Sequence, residues 1–257
     1  MNFRKASTTD YPEIKLLWER VFLDPEEFIA CFMAHFGIES GYVCEINGNI
    51  AAMAFALPTT LSFVKKCKSQ ISNLKSQITN LPLRYIYACA THPHYRRQGI
   101  MKILIETIYK EARNENIAGI FLRAADPNLE NYYRKLGFEA FFYRDVINHK
   151  EFKRDINHLI LPEKYHKKRV QKLEGICFVN WDETFFKFLY ETGTKFCESN
   201  NEIIAFRTEK RAIMIDEVLN DSIALHSKNK TECCGQMRWC NSPLPTLSSG
   251  YFTFSME

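Results

Sequence analysis

Apolar positions along the chain follow two periods, close to two and close to 3.6 residues, and the order in which these alternate predicts a mixed α+β protein. Residues 2–5 suit a short strand. The pair Thr9-Asp10 then precedes residues 11–22, where Ile14, Leu17, Trp18 and Val21 recur at helical spacing. Asp24-Pro25 opens a second predicted helix carrying Phe28, Ile29, Phe32 and Phe36, and Gly37 stops it. Residues 41–46 and 49–57 flank Asn47-Gly48, a pair that supplies the positive φ a tight hairpin reversal needs. The pattern continues with a strand at 84–91 and a helix at 100–116, with Ile100, Ile103, Leu104, Ile108 and Ala112 on one face. A strand at 120–123, a short helix at 128–136 ending at Gly137, and a strand at 138–147 complete this half.

Two segments break this rhythm. Residues 68–74 read KSQISNL and residues 75–81 read KSQITNL, so Ile71, Leu74, Ile78 and Leu81 fall at spacings of three and four. That is the seam of a short coiled-coil-like helix, here an insertion at 65–81 that reads as a loop duplication or a lid over the site. Beyond His149 the texture turns basic. Lys150, Lys153, Arg154, Lys164, Lys167, Lys168, Arg169 and Lys172 predict a solvated helical face behind Pro162. A strand at 176–180, a helix at 181–199 with Phe185, Phe188, Leu189 and Phe196 inward, a hairpin at 203–208 and 212–218, and a closing strand at 251–254 follow. The expected division is a first domain at 1–147 and a second α+β region at 148–257.

Composition narrows the function classes. The chain has 257 residues, 46% hydrophobic and 25% charged, with a formal net charge of +4. That is an ordinary globular balance, and the basic stretch lacks the interleaved aromatics that stack on bases, so no nucleic-acid partner is expected. No leader pattern opens the chain and no apolar run approaches the roughly 18 residues of a membrane span, so the expected location is the cytoplasm without a membrane partner. The nine cysteines, among them Cys233, Cys234 and Cys240 near His226, are scattered without a CxxC pair. No disulfide framework and no metal site is expected, and residues around 233–240 read as a polar loop.

The chemistry concentrates at residues 88–102, ACATHPHYRRQGIMK. A strand feeding through a basic turn with Gly99 into a helix start is a phosphate cradle: unpaired N–H groups and the positive end of the helix dipole face the turn. The run THPHYRRQGIM resembles the acetyl-CoA signature of the GNAT superfamily of N-acetyltransferases, which reads Arg or Gln, any two, Gly, any one, then Gly or Ala. Here these are Arg96, Gly99 and Met101, the last departing from the small residue. Residues 131–138, NYYRKLGF, resemble the family's second hallmark, a tyrosine-bearing helix before a Gly-Phe turn. Both motifs lie within residues 1–147, and the resemblance implies a GNAT-type mixed central sheet flanked by helices.

The resemblance also implies roles. Cys89, Ala90 and Thr91 would offer backbone groups to the pantetheine arm and acetyl carbonyl of acetyl-CoA. Arg96, Arg97, Gln98, Gly99, Ile100, Met101 and Lys102 would cradle its diphosphate. Tyr133 would protonate the departing thiolate as general acid, and Asp126 stands where many relatives carry an asparagine beside the cofactor arm. An amine acceptor on a small molecule or peptide, with an unperturbed pKa near 10.4, costs roughly 4 to 5 kcal/mol to deprotonate at pH 7. A base is therefore needed, and residues 84–91 hold no carboxylate. Tyr85 or Tyr87 through water, His92, His94 and the terminal carboxylate of Glu257 are the candidates; the last follows a tandem-domain subgroup of the superfamily. In the same light residues 148–257 read as a degenerate GNAT-like half shaping the acceptor pocket, or as an unrelated module recruiting a partner. An alternative for the whole chain is a non-catalytic acyl-CoA sensor or scaffold. The acceptor and the oligomeric state are not encoded in these motifs.

Overall fold

The computed structural model describes residues 1–65, 77–145, 156–209, 212–219, 231–240 and 250–251. The chain begins with β1 (Asn2–Lys5), α1 (Tyr11–Phe22), α2 (Glu26–Phe36), β2 (Gly41–Ile46), β3 (Asn49–Lys65) and β4 (Gln77–Thr91). It continues with α3 (Ile100–Asn114), β5 (Gly119–Leu122), α4 (Pro127–Arg134), β6 (Glu139–Asp145), α5 (Pro162–Lys172) and β7 (Cys177–Asn180). Then come α6 (Glu183–Glu191), β8 (Lys195–Ser199), β9 (Glu202–Glu209), β10 (Ala212–Leu219), β11 (Thr231–Trp239) and β12 (Gly250–Tyr251). The α+β class expected from the periodicity is the observed one.

Two compact units form, and they interleave rather than meet at residue 147. The first is Met1–Thr59, Pro82–Glu139 and Met237–Pro243; the second is Thr60–Leu81, Ala140–Gln236 and Leu244–Glu257. The late return of the chain to the first unit has visible anchors. The Cys240 N–H donates to the Ala118 carbonyl, and Arg238 pairs with Glu106 at 2.7 Å while lying 3.7 Å over the Tyr109 ring.

In the first unit β1, β2 and β3 are antiparallel, with Phe3 opposite Cys44 and Val43 opposite Met53. Asn47 and Gly48 turn the hairpin with φ of 52° and 81°, the conformation their residue types allow. The α3 stripe of Ile100, Leu104, Ile105, Ile108 and Ala112 is buried against Ala52, Ala54, Ile86 and Ile120. Trp18 of α1 packs at 4.9 Å from Phe32 of α2 and 5.4 Å from Phe55 of β3. Each of these fully buried side chains contributes about 2 to 3 kcal/mol of apolar transfer. Ser7 and Asp10 cap the start of the helical segment, and Arg4 bonds the same Asp10 carboxylate at 2.7 Å.

In the second unit β7 pairs antiparallel with the far end of β3, Thr60 opposite Asn180, and parallel with β12, which also lies parallel to β6. A separate three-stranded antiparallel sheet has the order β10-β9-β8. Four expectations are corrected here. The helix at 181–199 stops at Glu191, because Thr192-Gly193 breaks it, with Gly193 at φ 106°, and residues 195–199 pair with β9 as β8. Residues 231–239, read as a polar loop, form β11, and Cys234 is buried there. Residues 77–81, the second half of the heptad repeat, belong to β4 and not to a helix; residues 66–76 lie outside the described residues. The basic helix α5 is not solvated all round: Arg169 is fully buried, bonding Glu217 at 3.0 Å and the Val179 carbonyl at 3.0 Å. Tyr165 completes this buried group, donating to Glu217 at 2.6 Å. Residues 252–254 of the expected closing strand also lie outside the described residues. Among the described residues no helix is long and apolar enough to cross a membrane.

Candidate active site at the junction of β4 and α3

Strand β4 enters the site with a positive φ near its end. Its parallel pairing with β5 runs from Leu83 opposite Gly119 to Tyr85 opposite Phe121, and three residues later Ala88 has a φ of +48°. L-residues rarely adopt that region, and Cys89, Ala90 and Thr91 lie past the stretch paired with β5. Their outer end is tied to β3, where the His92 N–H donates to the Ala51 carbonyl at 2.9 Å.

The turn that follows is built for backbone exposure. A single 3-10 turn at Pro93–Tyr95 leads to Arg97 at φ 62° and Gly99 at φ 75°, and α3 starts at Ile100. No side chain caps this helix. The first-turn N–H groups of Ile100, Met101 and Lys102 have no carbonyl one turn back to bond. A Cβ built on Gly99 meets nothing within 4 Å, so the space beside Gly99 is open. The Arg96 Nε folds back to the Thr91 carbonyl at 3.1 Å, and the Gln98 amide reaches the His94 carbonyl at 3.3 Å, which fixes the turn. Arg97 and Lys102 are exposed. The departure at Met101 carries no steric conflict, because its side chain packs against the α3 core. An open, uncapped helix start ringed by Arg96, Arg97 and Lys102 fits a diphosphate.

Tyr133 of α4 is brought to the same junction. It is 7% exposed, packed edge-on against Tyr132 and Phe138, and lies beside Cys89. Burial, followed by the neighbouring Cys89, raises its pKa well above 10, and burial pushes the Cys89 thiol up to about 12. Both groups therefore hold their protons at neutral pH, and the phenol is a proton donor in waiting. Asp126 is used otherwise: its carboxylate accepts the Asn128 N–H at 2.7 Å and caps α4.

The base candidates separate. Tyr85 is 3% exposed between Tyr87 and Phe121 and belongs to the core, as does Phe32 at 0%. Tyr87 is half-buried beside it. His92 and His94 stack at 5.3 Å, and the pKa of His92 is lowered by burial first and then by Arg20, His94 and Arg96. The Arg20 guanidinium stands on His92 Nε2. A neutral imidazole accepts at one nitrogen, so the 3.4 Å approach of the His94 N–H to Nδ1 is not a full hydrogen bond. Glu257 lies outside the described residues. Sequence reasoning missed the positive φ at Ala88 and the approach of Arg20 to His92. Alanine carries no mark of positive φ, and an arginine ending a helix is ordinary.

The fold and this junction define a class: an α+β protein in which strand β4 runs through a basic turn into an uncapped helix. The family model described as the acetyltransferase (GNAT) domain matches residues 2–141, more than half of the chain, and the chain belongs to that family. Among solved structures it is similar to a GCN5-related N-acetyltransferase from Anabaena variabilis, at TM-score 0.70 and 14% identity over 93% of this chain and 73% of that one. Eis1 from Mycobacterium abscessus matches at TM-score 0.67 and 10% identity over 93% and 74%. A GCN5-related N-acetyltransferase from Kribbella flavida matches at 0.66 and 11% over 93% and 70%. At these identities the likeness is one of fold. No curated protein matches the chain.

Proposed function

We propose that the chain is an acetyl-CoA-dependent N-acetyltransferase that moves an acetyl group by direct attack to a primary amine on a small molecule or peptide. The observation that carries this is the junction itself: the open, uncapped start of α3 at Gly99 lies at the end of a strand whose Cys89 meets a buried, protonated Tyr133. Bound acetyl-CoA supplies the thioester carbonyl. The N–H groups of Ile100, Met101 and Lys102, with Arg96 and Arg97, hold the diphosphate and so fix the thioester's reach along Cys89 to Thr91. An N–H of Ala90 or Thr91 stabilises the developing oxyanion. Tyr133 gives its phenolic proton to the departing thiolate, a transfer that its raised pKa keeps available across the neutral range. The base is sought among Tyr87, His92, His94 and the Glu257 carboxylate. Among the described residues neither helix of the second unit opens on a glycine, so that unit is assigned no second cradle.

The missing carboxylate on β4 favours a second reading, a sensor that binds acyl-CoA without turning it over. Calorimetric titration with acetyl-CoA tests the cradle, and release of free CoA thiol against a panel of amines tests turnover. Binding with turnover supports the enzyme; binding without turnover on any amine supports the sensor; no binding removes both.

A further inference from the structure

Charge pairing in the first unit is partial. Arg4 faces Asp10 and Glu45, Arg84 faces Glu115, and Arg238 faces Glu106. Among the described residues no carboxylate is paired with Arg20, Arg96 or Arg97. Arg20 ends α1, some seventy residues before the cradle, yet its guanidinium rests on His92, the residue that opens the cradle turn. His94 stacks on that same ring, and Arg96 donates to the Thr91 carbonyl next to it. Cations gathered on one rim without a counter-charge repel one another, and they raise the local potential for an arriving anion. An arginine has five N–H donors in a flat fork suited to paired phosphate oxygens, and a neutral imidazole nitrogen offers it one lone pair.

We propose that Arg20 is a further phosphate-binding residue of the cofactor site, reaching from α1 to the diphosphate held at the start of α3. This rests on the cradle being a CoA site. Arg20 and Arg96 both lie near His92, so a donor from α1 joins those of the turn at the same rim.

Titration calorimetry of wild type, Arg20→Ala and Arg20→Lys with acetyl-CoA and with acetyl-dephospho-CoA tests this. Arg20 is exposed, so the folded state should be retained, with an unchanged unfolding midpoint; Arg20→Gln serves as a second variant if Arg20→Ala fails to fold. Arg20→Ala should weaken both ligands about tenfold, the loss of an exposed charge-assisted contact, and Arg20→Lys should recover part of it. Equal affinity of wild type and Arg20→Ala, with Gly99→Ala weakened, overturns the role of Arg20 and leaves the cradle standing. A loss seen with acetyl-CoA alone places Arg20 on the 3′-phosphate and overturns the diphosphate assignment. Absence of binding by wild type removes the cradle reading and this inference together.

Discussion

Gly99→Ala separates the backbone role of this glycine from its role as an open face. At φ 75° an alanine pays the left-handed penalty of roughly 1 to 2 kcal/mol. Nothing stands within 4 Å of the new methyl group, so no clash adds to that cost. For a chain of this size the unfolding midpoint should fall by about 2 to 4 °C for each kcal/mol. Binding should suffer more. The methyl group enters the space before the α3 N–H groups, where a phosphate oxygen must approach to roughly 3 Å. Losing one charge-assisted bond of about 1.5 to 3 kcal/mol weakens acetyl-CoA about 10- to 100-fold. The hairpin glycine Gly48 is a matched control, with φ 81° and nothing within 4 Å of the place an added methyl group would take. Gly48→Ala should show the same loss of stability and wild-type affinity for acetyl-CoA. Thermal unfolding and calorimetry on the two variants decide the matter: equal acetyl-CoA affinity in both would refute the cradle at Gly99.

Tyr133→Phe should keep acetyl-CoA affinity and lower turnover about 100-fold, measured by steady-state thiol release; full turnover would remove its role as acid. Asp10 is held below the usual carboxylate range by its Arg4 hydrogen bonds and those from Ser7, so its contribution to stability is full above its unfolded pKa near 4 and fades as pH falls below it. Asp10→Asn should cost about 2 kcal/mol at pH 7, and the gap to wild type in urea unfolding should narrow between about pH 4 and pH 2. Arg169→Met leaves the Glu217 carboxylate buried without its partner and should cost about 3 to 5 kcal/mol. The double variant Arg169→Met, Glu217→Leu should recover most of that loss in denaturant titrations, and no recovery would show that packing and not charge sets the cost.

How far the chain could be read beforehand varied with the range of the interactions involved. Helix α1, the reversal at Asn47-Gly48 and helix α3 are local patterns, and each element stands where its period places it, although on α3 Ile103, expected on the inner face, is 44% exposed and Ile105 is buried instead. The β8 strand was lost inside a predicted helix because Phe188, Leu189 and Phe196 keep a plausible helical spacing; only pairing with β9 reveals that Lys195–Ser199 is extended. Strand β11 was hidden by its polar residues, since its Cys234 and Met237 are buried by partners far away in the chain. Arg169 looked like one more solvated charge on α5. Its counter-charge, Glu217, is 48 residues away, and proximity of that kind leaves no local trace.

The same division holds at the site. Residues 96–101 announced a phosphate-type turn by themselves, because a basic turn with glycine before a helix constrains φ and exposes N–H groups within a few residues. The meeting of Cys89 with Tyr133, the positive φ at Ala88 and the approach of Arg20 to His92 are decided only by tertiary structure. Each joins segments from different elements or strains one residue against its own preference, and such strain is held by packing around it rather than by the residue's identity.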